Sequence, residues 1–119
     1  MTAFGKNMKL TIDKAHRDQT RALFTEILGC AMLTPAPPLD VFKFDDGFGI
    51  GVYFGEAAEA LSPEDQLKAA WLEVRVDDPA ATVKSLDAIG LARHDYAAVD
   101  KDHTYFRAPG GWVFRVAGR

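Results

Sequence analysis

One order of elements occurs twice along this chain of 119 residues, and it limits the possible folds more than any other feature. In each half, an alternating segment typical of a strand is followed by a helical stripe that ends on an aliphatic residue and a glycine, at Leu28-Gly29 and at Ile89-Gly90. A glycine-containing hairpin comes after each helix. Halves of roughly fifty residues cannot bury both faces of a sheet, so we expect helices on one face and an open second face.

The first half, about residues 7–56, predicts a module of one strand, one helix and three further strands. The segments located in the sequence are a strand over residues 8–13, a helix over 17–29, a Pro-rich connection over 34–40, and two of the three further strands, within 41–54, which meet at Asp46-Gly47. The helix carries one apolar stripe, which we expect to pack against the sheet. This stripe consists of Leu23, Phe24, Ile27 and Leu28.

A polar, acidic linker over residues 57–68 separates the halves, with a helical turn predicted after Ser62 because Pro63 follows a good N-cap. The second module spans about 69–119. Its segments are a strand over 71–76, a helix that starts at Asp78-Pro79 and presents Val83, Leu86 and Ile89, a strand over 91–96, and a closing hairpin over 103–116. The whole chain is therefore predicted to be one domain built from two βαβββ modules.

The last strand places an arginine on the face opposite an aromatic face. Trp112, Phe114 and Val116 point one way, whereas Val113 and Arg115 point the other. The same alternation assigns further polar and aromatic residues to the open side of the sheets. These residues are Lys9, Trp71, Glu73, Arg75, Tyr105 and Arg107.

Composition excludes several classes of function. The net charge of −3 provides no global basic field for nucleic acid or an acidic membrane surface. The apolar runs are shorter than a bilayer requires, and residues 1–10 contain no long apolar core like that of a signal peptide. Cys30 is the only cysteine, which rules out an internal disulfide. We therefore expect a cytoplasmic protein that binds neither nucleic acid nor membranes.

The repeated βαβββ module resembles the vicinal oxygen chelate superfamily, which contains glyoxalase I, the bleomycin-resistance proteins and the extradiol dioxygenases. The likeness is carried by TRALFTEILG after the first strand and by FRAPGGWVFRV at the end, and it covers nearly the whole chain. The resemblance implies an α+β fold in which the two modules form an eight-stranded, cup-shaped mixed sheet with helices on the outer face. It also implies a homodimer.

The resemblance further indicates where metal ligands would lie. In the metal-dependent members, each half supplies two ligands, a histidine from the start of its first strand and a carboxylate from its last strand. The matching positions here are Lys9, a residue within 51–53, Trp71 and Arg115. Cationic side chains repel a divalent ion, and an indole cannot ligate one. We therefore expect no metal ion and no other cofactor, with Arg115 supplying a fixed positive charge where a ligand would stand.

The open face then predicts a metal-independent small-molecule binding protein of the bleomycin-resistance type, with no catalytic residues. We expect it to sequester a flat, anionic ligand, for antibiotic resistance or for metabolite binding. Trp71 would stack on this ligand, and Arg115 or Arg75 would pair with its negative group. Glu73 could neutralise either arginine, but arginines outnumber glutamates on this face, so we expect net positive charge to remain. The predicted ligand-binding residues are Lys9, Trp71, Glu73, Arg75, Tyr105, Arg107 and Arg115.

Two other functions fit the same pattern. A metal-dependent lyase, isomerase or dioxygenase of the glyoxalase type would need ligands at other positions, such as Glu73 with His103. A non-catalytic interaction module would instead fill the cup with its own side chains. A metal assay tests the first alternative, and an open or collapsed cavity separates the second from a binding protein.

Overall fold

The fold is α+β, with one mixed four-stranded sheet in each half of the chain. The computed structural model describes all residues 1–119 and divides them into two compact units, Met1–Ala60 and Leu61–Arg119. Each unit contains the predicted order of one strand, a helix and three further strands. None of the helices combines the length and the apolar character that crossing a bilayer requires.

The first unit has the sheet order β1-β4-β3-β2, in which β1 runs parallel to β4 and the other pairs are antiparallel. Its elements are β1 (Asn7–Asp13), α1 (Arg17–Ala22), β2 (Ala31–Ala36), β3 (Leu39–Lys43) and β4 (Gly49–Gly55). A π-helical turn over Leu23–Ile27 extends α1, and Gly29 ends it with a φ of 73°. Glycine is suited to this end because a left-handed backbone costs it little.

The predicted apolar stripe of the first helix forms the core of this unit. Leu23 and Phe24 are completely buried, and the Phe24 ring stacks on Phe42 of β3 with 4.5 Å between ring centroids. Ile27 and Leu28 are half-buried at the end of the stripe. The helix therefore covers one face of the first sheet, as the spacing of its apolar residues predicts.

The predicted connection over residues 34–40 is wrong, because most of it is strand. Residues 34–36 end β2, and residues 39–40 begin β3. β2 is an edge strand, so Pro35 removes no hydrogen bond that a central strand would need. Nearly all of β2 is exposed, and a strand without a buried face leaves no alternating pattern in the sequence.

The second unit has the sheet order β5-β8-β7-β6, with β5 parallel to β8. Its elements are α2 (Pro63–Gln66), β5 (Trp71–Val76), α3 (Pro79–Ala88), β6 (Arg93–His94), β7 (Thr104–Arg107) and β8 (Val113–Gly118). Both predicted helix caps are confirmed. Ser62 Oγ accepts a hydrogen bond from the Asp65 amide at 3.1 Å, and Asp78 Oδ1 accepts one from the Ala81 amide at 3.1 Å.

Two predictions for the second unit need correction. Ile89 was expected to complete the apolar stripe of α3, but it lies beyond the end of the helix and is 54% exposed. Leu86 is the completely buried residue of this helix. The strand predicted over 91–96 reduces to the two residues of β6, because only Arg93 and His94 pair with β7.

The closing hairpin is confirmed. Phe114 and Val116 of β8 are nearly or completely buried, as is Trp112 directly before the strand. Gly110 and Gly111 turn the chain with φ values of 91° and 95°. A Cβ at Gly111 would lie 2.8 Å from Pro63 Cα, so this glycine also allows α2 to approach the turn closely.

Candidate functional site

Six of the seven predicted site residues share one face of the second sheet, which we call the polar face. It is formed by Trp71, Glu73, Arg75, Tyr105, Arg107 and Arg115. The register aligns Glu73, Arg115 and Tyr105 across β5, β8 and β7. The opposite face of the same strands carries Val74, Phe106 and Phe114, which are buried. Strand alternation therefore assigned the polar face correctly.

Arg115 lies at the centre of a polar network. Its Nε donates to Glu73 Oε2 at 2.8 Å, and its Nη2 lies 2.6 Å from the same oxygen. Its Nη1 donates to Asp100 Oδ2 at 3.2 Å and to the Tyr105 hydroxyl at 3.3 Å. Hydrogen bonds with Tyr105 and then Glu73 raise the pKa of Arg115. All three guanidinium nitrogens are therefore occupied by groups of the protein itself.

Arg115 also fixes the ring of Trp71. The guanidinium carbon lies 4.3 Å from the centre of the indole, and the edge of Tyr105 meets the same indole at 5.8 Å between centroids. A guanidinium at this distance is held by the negative face of the ring. Trp71 nevertheless remains 41% exposed. The result is a large aromatic surface that is held in place and still open to solvent.

Asp100 completes the network, and no pattern in the sequence marked it as a site residue. Its Oδ1 accepts from the Asp102 amide at 2.9 Å, and its Oδ2 accepts from the Tyr105 hydroxyl at 2.8 Å. His103 Nδ1 lies 2.8 Å from the same Oδ2. The Asp102 amide and the Tyr105 hydroxyl, followed by His103, hold the pKa of Asp100 well below its usual range. Asp100 is therefore an anion at neutral pH.

The charge of the polar face is distributed differently from the sequence-based expectation. The three arginines and the two carboxylates Glu73 and Asp100 leave one net positive charge, but Arg115 does not carry it. Arg75 and Arg107 have only backbone acceptors: Arg75 Nε donates to the Gly118 carbonyl at 3.2 Å, and Arg107 Nη2 donates to the Pro63 carbonyl at 2.8 Å. The unpaired positive charge therefore lies at these two arginines.

Lys9, the seventh predicted residue, belongs to the first unit. It lies on β1 opposite Gly51, and its Nζ donates to Thr11 Oγ1 at 2.8 Å.

The residues at the expected metal positions do not fit a divalent ion. Nowhere in the structure do three or more His, Cys, Asp or Glu side chains converge in a way that could hold one. Glu73 and Asp100 are the carboxylates nearest to Arg115, and both already bind its guanidinium. A cation at this place would have to displace Arg115 and lose both ion pairs.

No protein-family model matches this sequence, and no curated protein matches it either. Solved structures do match it over almost the whole chain. A possible glyoxalase from Bacillus cereus is 20% identical with a TM-score of 0.69, and the match covers 97% of this chain and 99% of that one. TnmS3, an antibiotic binding protein from a Streptomyces species, is 13% identical with a TM-score of 0.68 and coverages of 98% and 96%. The glyoxalase I of Leishmania major is 10% identical with a TM-score of 0.74 and coverages of 98% and 87%.

These similarities confirm the α+β fold class predicted from the sequence, and the chain shares this fold with glyoxalases of known structure. The matching structures include both an enzyme, glyoxalase I, and an antibiotic binding protein. The residues of the site, rather than the fold, must therefore decide what this chain does.

Proposed function

We propose that this protein is a metal-independent small-molecule binding protein that holds a flat aromatic ligand against Trp71 on the polar face. The observation that carries the proposal is the state of the indole, which is 41% exposed although Arg115 and Tyr105 fix its position. The similarity in fold to TnmS3, an antibiotic binding protein, supports this class of function.

A fixed, exposed indole suits the binding of aromatic compounds. Aromatic rings attract one another in stacked or edge-to-face arrangements, beyond what their buried area alone contributes. Arg115 approaches the ring within 4.3 Å, and the exposed part of the indole remains available to a ligand. Because the side chain is already ordered, binding costs less conformational entropy than it would for a mobile tryptophan.

The alternative of a metal-dependent lyase, isomerase or dioxygenase is not favoured by the residues present. It would require an ion near Arg115, whose positive charge is held in place by Glu73 and Asp100. His103, the other ligand considered from the sequence, is already engaged with Asp100 through its Nδ1. A binding role requires none of these groups to change partners.

Removal of the indole tests the proposal. We expect Trp71→Ala to weaken the binding of naphthalene-2-sulfonamide, a flat neutral compound, by about fivefold or more, because stacking of this kind contributes about 1 kcal/mol in addition to the buried area. Trp71→Phe should retain part of the affinity. The measurement is isothermal titration calorimetry on protein dialysed against a chelator, so that any binding seen is independent of metal. If the wild-type protein bound only after a divalent ion was restored, or if Trp71→Ala bound as tightly as the wild type, the proposal would be wrong.

A further inference from the structure

We infer that Arg75 recognises an anionic oxygen group, such as a sulfonate, carboxylate or phosphate, on the ligand held at Trp71. This inference rests on the proposed function and specifies the chemical class of its ligand. It also changes the role of Arg115, which the sequence favoured as the anion-binding residue and which the structure makes a positioning residue for Trp71.

The three arginines of the polar face differ in what their nitrogens already bind. Arg115 uses all three on Glu73, Asp100 and Tyr105. Nη2 of Arg107 donates to the Pro63 carbonyl, and its Nε is buried with no partner. Most of the Arg107 guanidinium therefore faces the protein beside α2. Neither guanidinium presents two free N–H groups side by side.

Arg75 does present such a pair. Its Nε donates to the Gly118 carbonyl at 3.2 Å, which anchors the guanidinium, and neither Nη group has a partner in the protein. The residue is exposed, and no carboxylate pairs with it. An anchored guanidinium with its outer edge free matches the two oxygens of a sulfonate, carboxylate or phosphate.

The distance between Arg75 and Trp71 suits one ligand that contacts both. The two residues lie four positions apart on the same face of β5, which corresponds to about 13 Å between their Cα atoms. The long arginine side chain and the wide indole shorten the gap that a ligand has to span. Glu73 lies between them, but its charge is compensated by Arg115. A flat ligand with an anionic group at one end could therefore place its rings against Trp71 and its anionic group against Arg75.

Two probes of almost identical shape test the inference. Naphthalene-2-sulfonate is an anion, and naphthalene-2-sulfonamide is its neutral counterpart. We expect the wild-type protein to bind the sulfonate about tenfold more tightly, as a charge-assisted pair of hydrogen bonds predicts. In Arg75→Gln this preference should disappear, with a much larger loss of affinity for the sulfonate than for the sulfonamide, whose neutral oxygens accept weaker hydrogen bonds. Arg75→Lys keeps the positive charge but loses the planar guanidinium with its adjacent N–H donors, so it should show a smaller preference for the sulfonate than the wild type.

The matched control is Arg93→Gln, which removes the same charge from the other face of the same sheet, where Arg93 pairs with Asp87. It should keep the tenfold preference. If the preference is lost in Arg107→Gln or Arg115→Gln but survives in Arg75→Gln, Arg75 is not the anion-binding residue. If both probes bind equally to the wild type and both weaken in Trp71→Ala, the proposed function stands and this inference fails. If neither probe binds, both fail.

Discussion

Replacing Leu86 with alanine is expected to lower the free energy of unfolding by about 2–5 kcal/mol, the usual range for a buried leucine. Leu86 is completely buried, and it is the one buried residue of α3. This helix packs against β8 and β5, so the deletion would leave a cavity between the helix and its sheet. Urea denaturation followed by circular dichroism measures the change.

Ile89→Ala provides the control for this substitution. Ile89 lies three residues further along, but it is 54% exposed beyond the end of α3, so its truncation should change the stability by no more than about 0.5 kcal/mol. Equal losses in the two variants, or an unchanged midpoint in Leu86→Ala, would contradict this packing of the second helix.

Asp40→Asn is expected to lower the free energy of unfolding by about 2–4 kcal/mol at neutral pH, because it removes a buried carboxylate from a paired cluster. Asp40 is completely buried on β3. Its oxygens accept hydrogen bonds from Arg17 at 2.9 and 3.2 Å, from Arg21 at 2.7 and 3.0 Å, and from Thr34 at 2.7 Å. The two arginines come from α1, so the cluster connects this helix to the sheet.

The pH dependence of stability gives a second test of the same cluster. Burial raises the pKa of Asp40, but the hydrogen bonds from Arg21, Arg17 and Thr34 outweigh it and bring the pKa well below the usual range. A lowered pKa in the folded state stabilises the protein above the pKa of the unfolded chain, which is about 4, and this contribution is lost as the pH falls further. The difference in stability between wild type and Asp40→Asn should therefore narrow between pH 7 and pH 3. A difference that stays constant over this range would mean that the carboxylate does not carry the effect.

Local sequence signals predicted much of the fold. Both N-caps, Ser62 and Asp78, depend on side chains within three residues of the amides that they bind, so a short window of sequence contains the whole interaction. Strand β5 alternates between exposed residues on one face and buried or half-buried residues on the other, so its pattern was visible in the sequence. β2 has no contrast between a buried and an exposed face, so the sequence did not predict it. Its extended backbone is stabilised by pairing with β3.

The candidate site could be predicted only in part, because one of its residues comes from an irregular segment that has no alternating pattern. Alternation placed Trp71, Glu73 and Arg115 on one face, but it gives no information about partners from irregular segments. Asp100 precedes β7 in a turn and reaches Arg115 across fifteen positions of the sequence. An acidic residue in a turn is common, so nothing marked Asp100 as the second partner of Arg115. Without that partner, the sequence predicted that Arg115 was free to bind an anion, which is the role that we propose for Arg75.

The central claim is that a ligand binds at the exposed indole of the polar face, and the side-chain resonances of the two tryptophans test it most directly. In ¹⁵N-labelled protein each indole N–H gives its own signal. Trp71 is 41% exposed, whereas Trp112 is 2% exposed in the core, so Trp112 serves as the internal control. On titration with naphthalene-2-sulfonate, the Trp71 signal should shift to saturation together with the backbone amides of Glu73 and Arg75, while the Trp112 signal stays in place. A saturable shift that leaves Trp71 unchanged, or no shift at any concentration, would contradict the account.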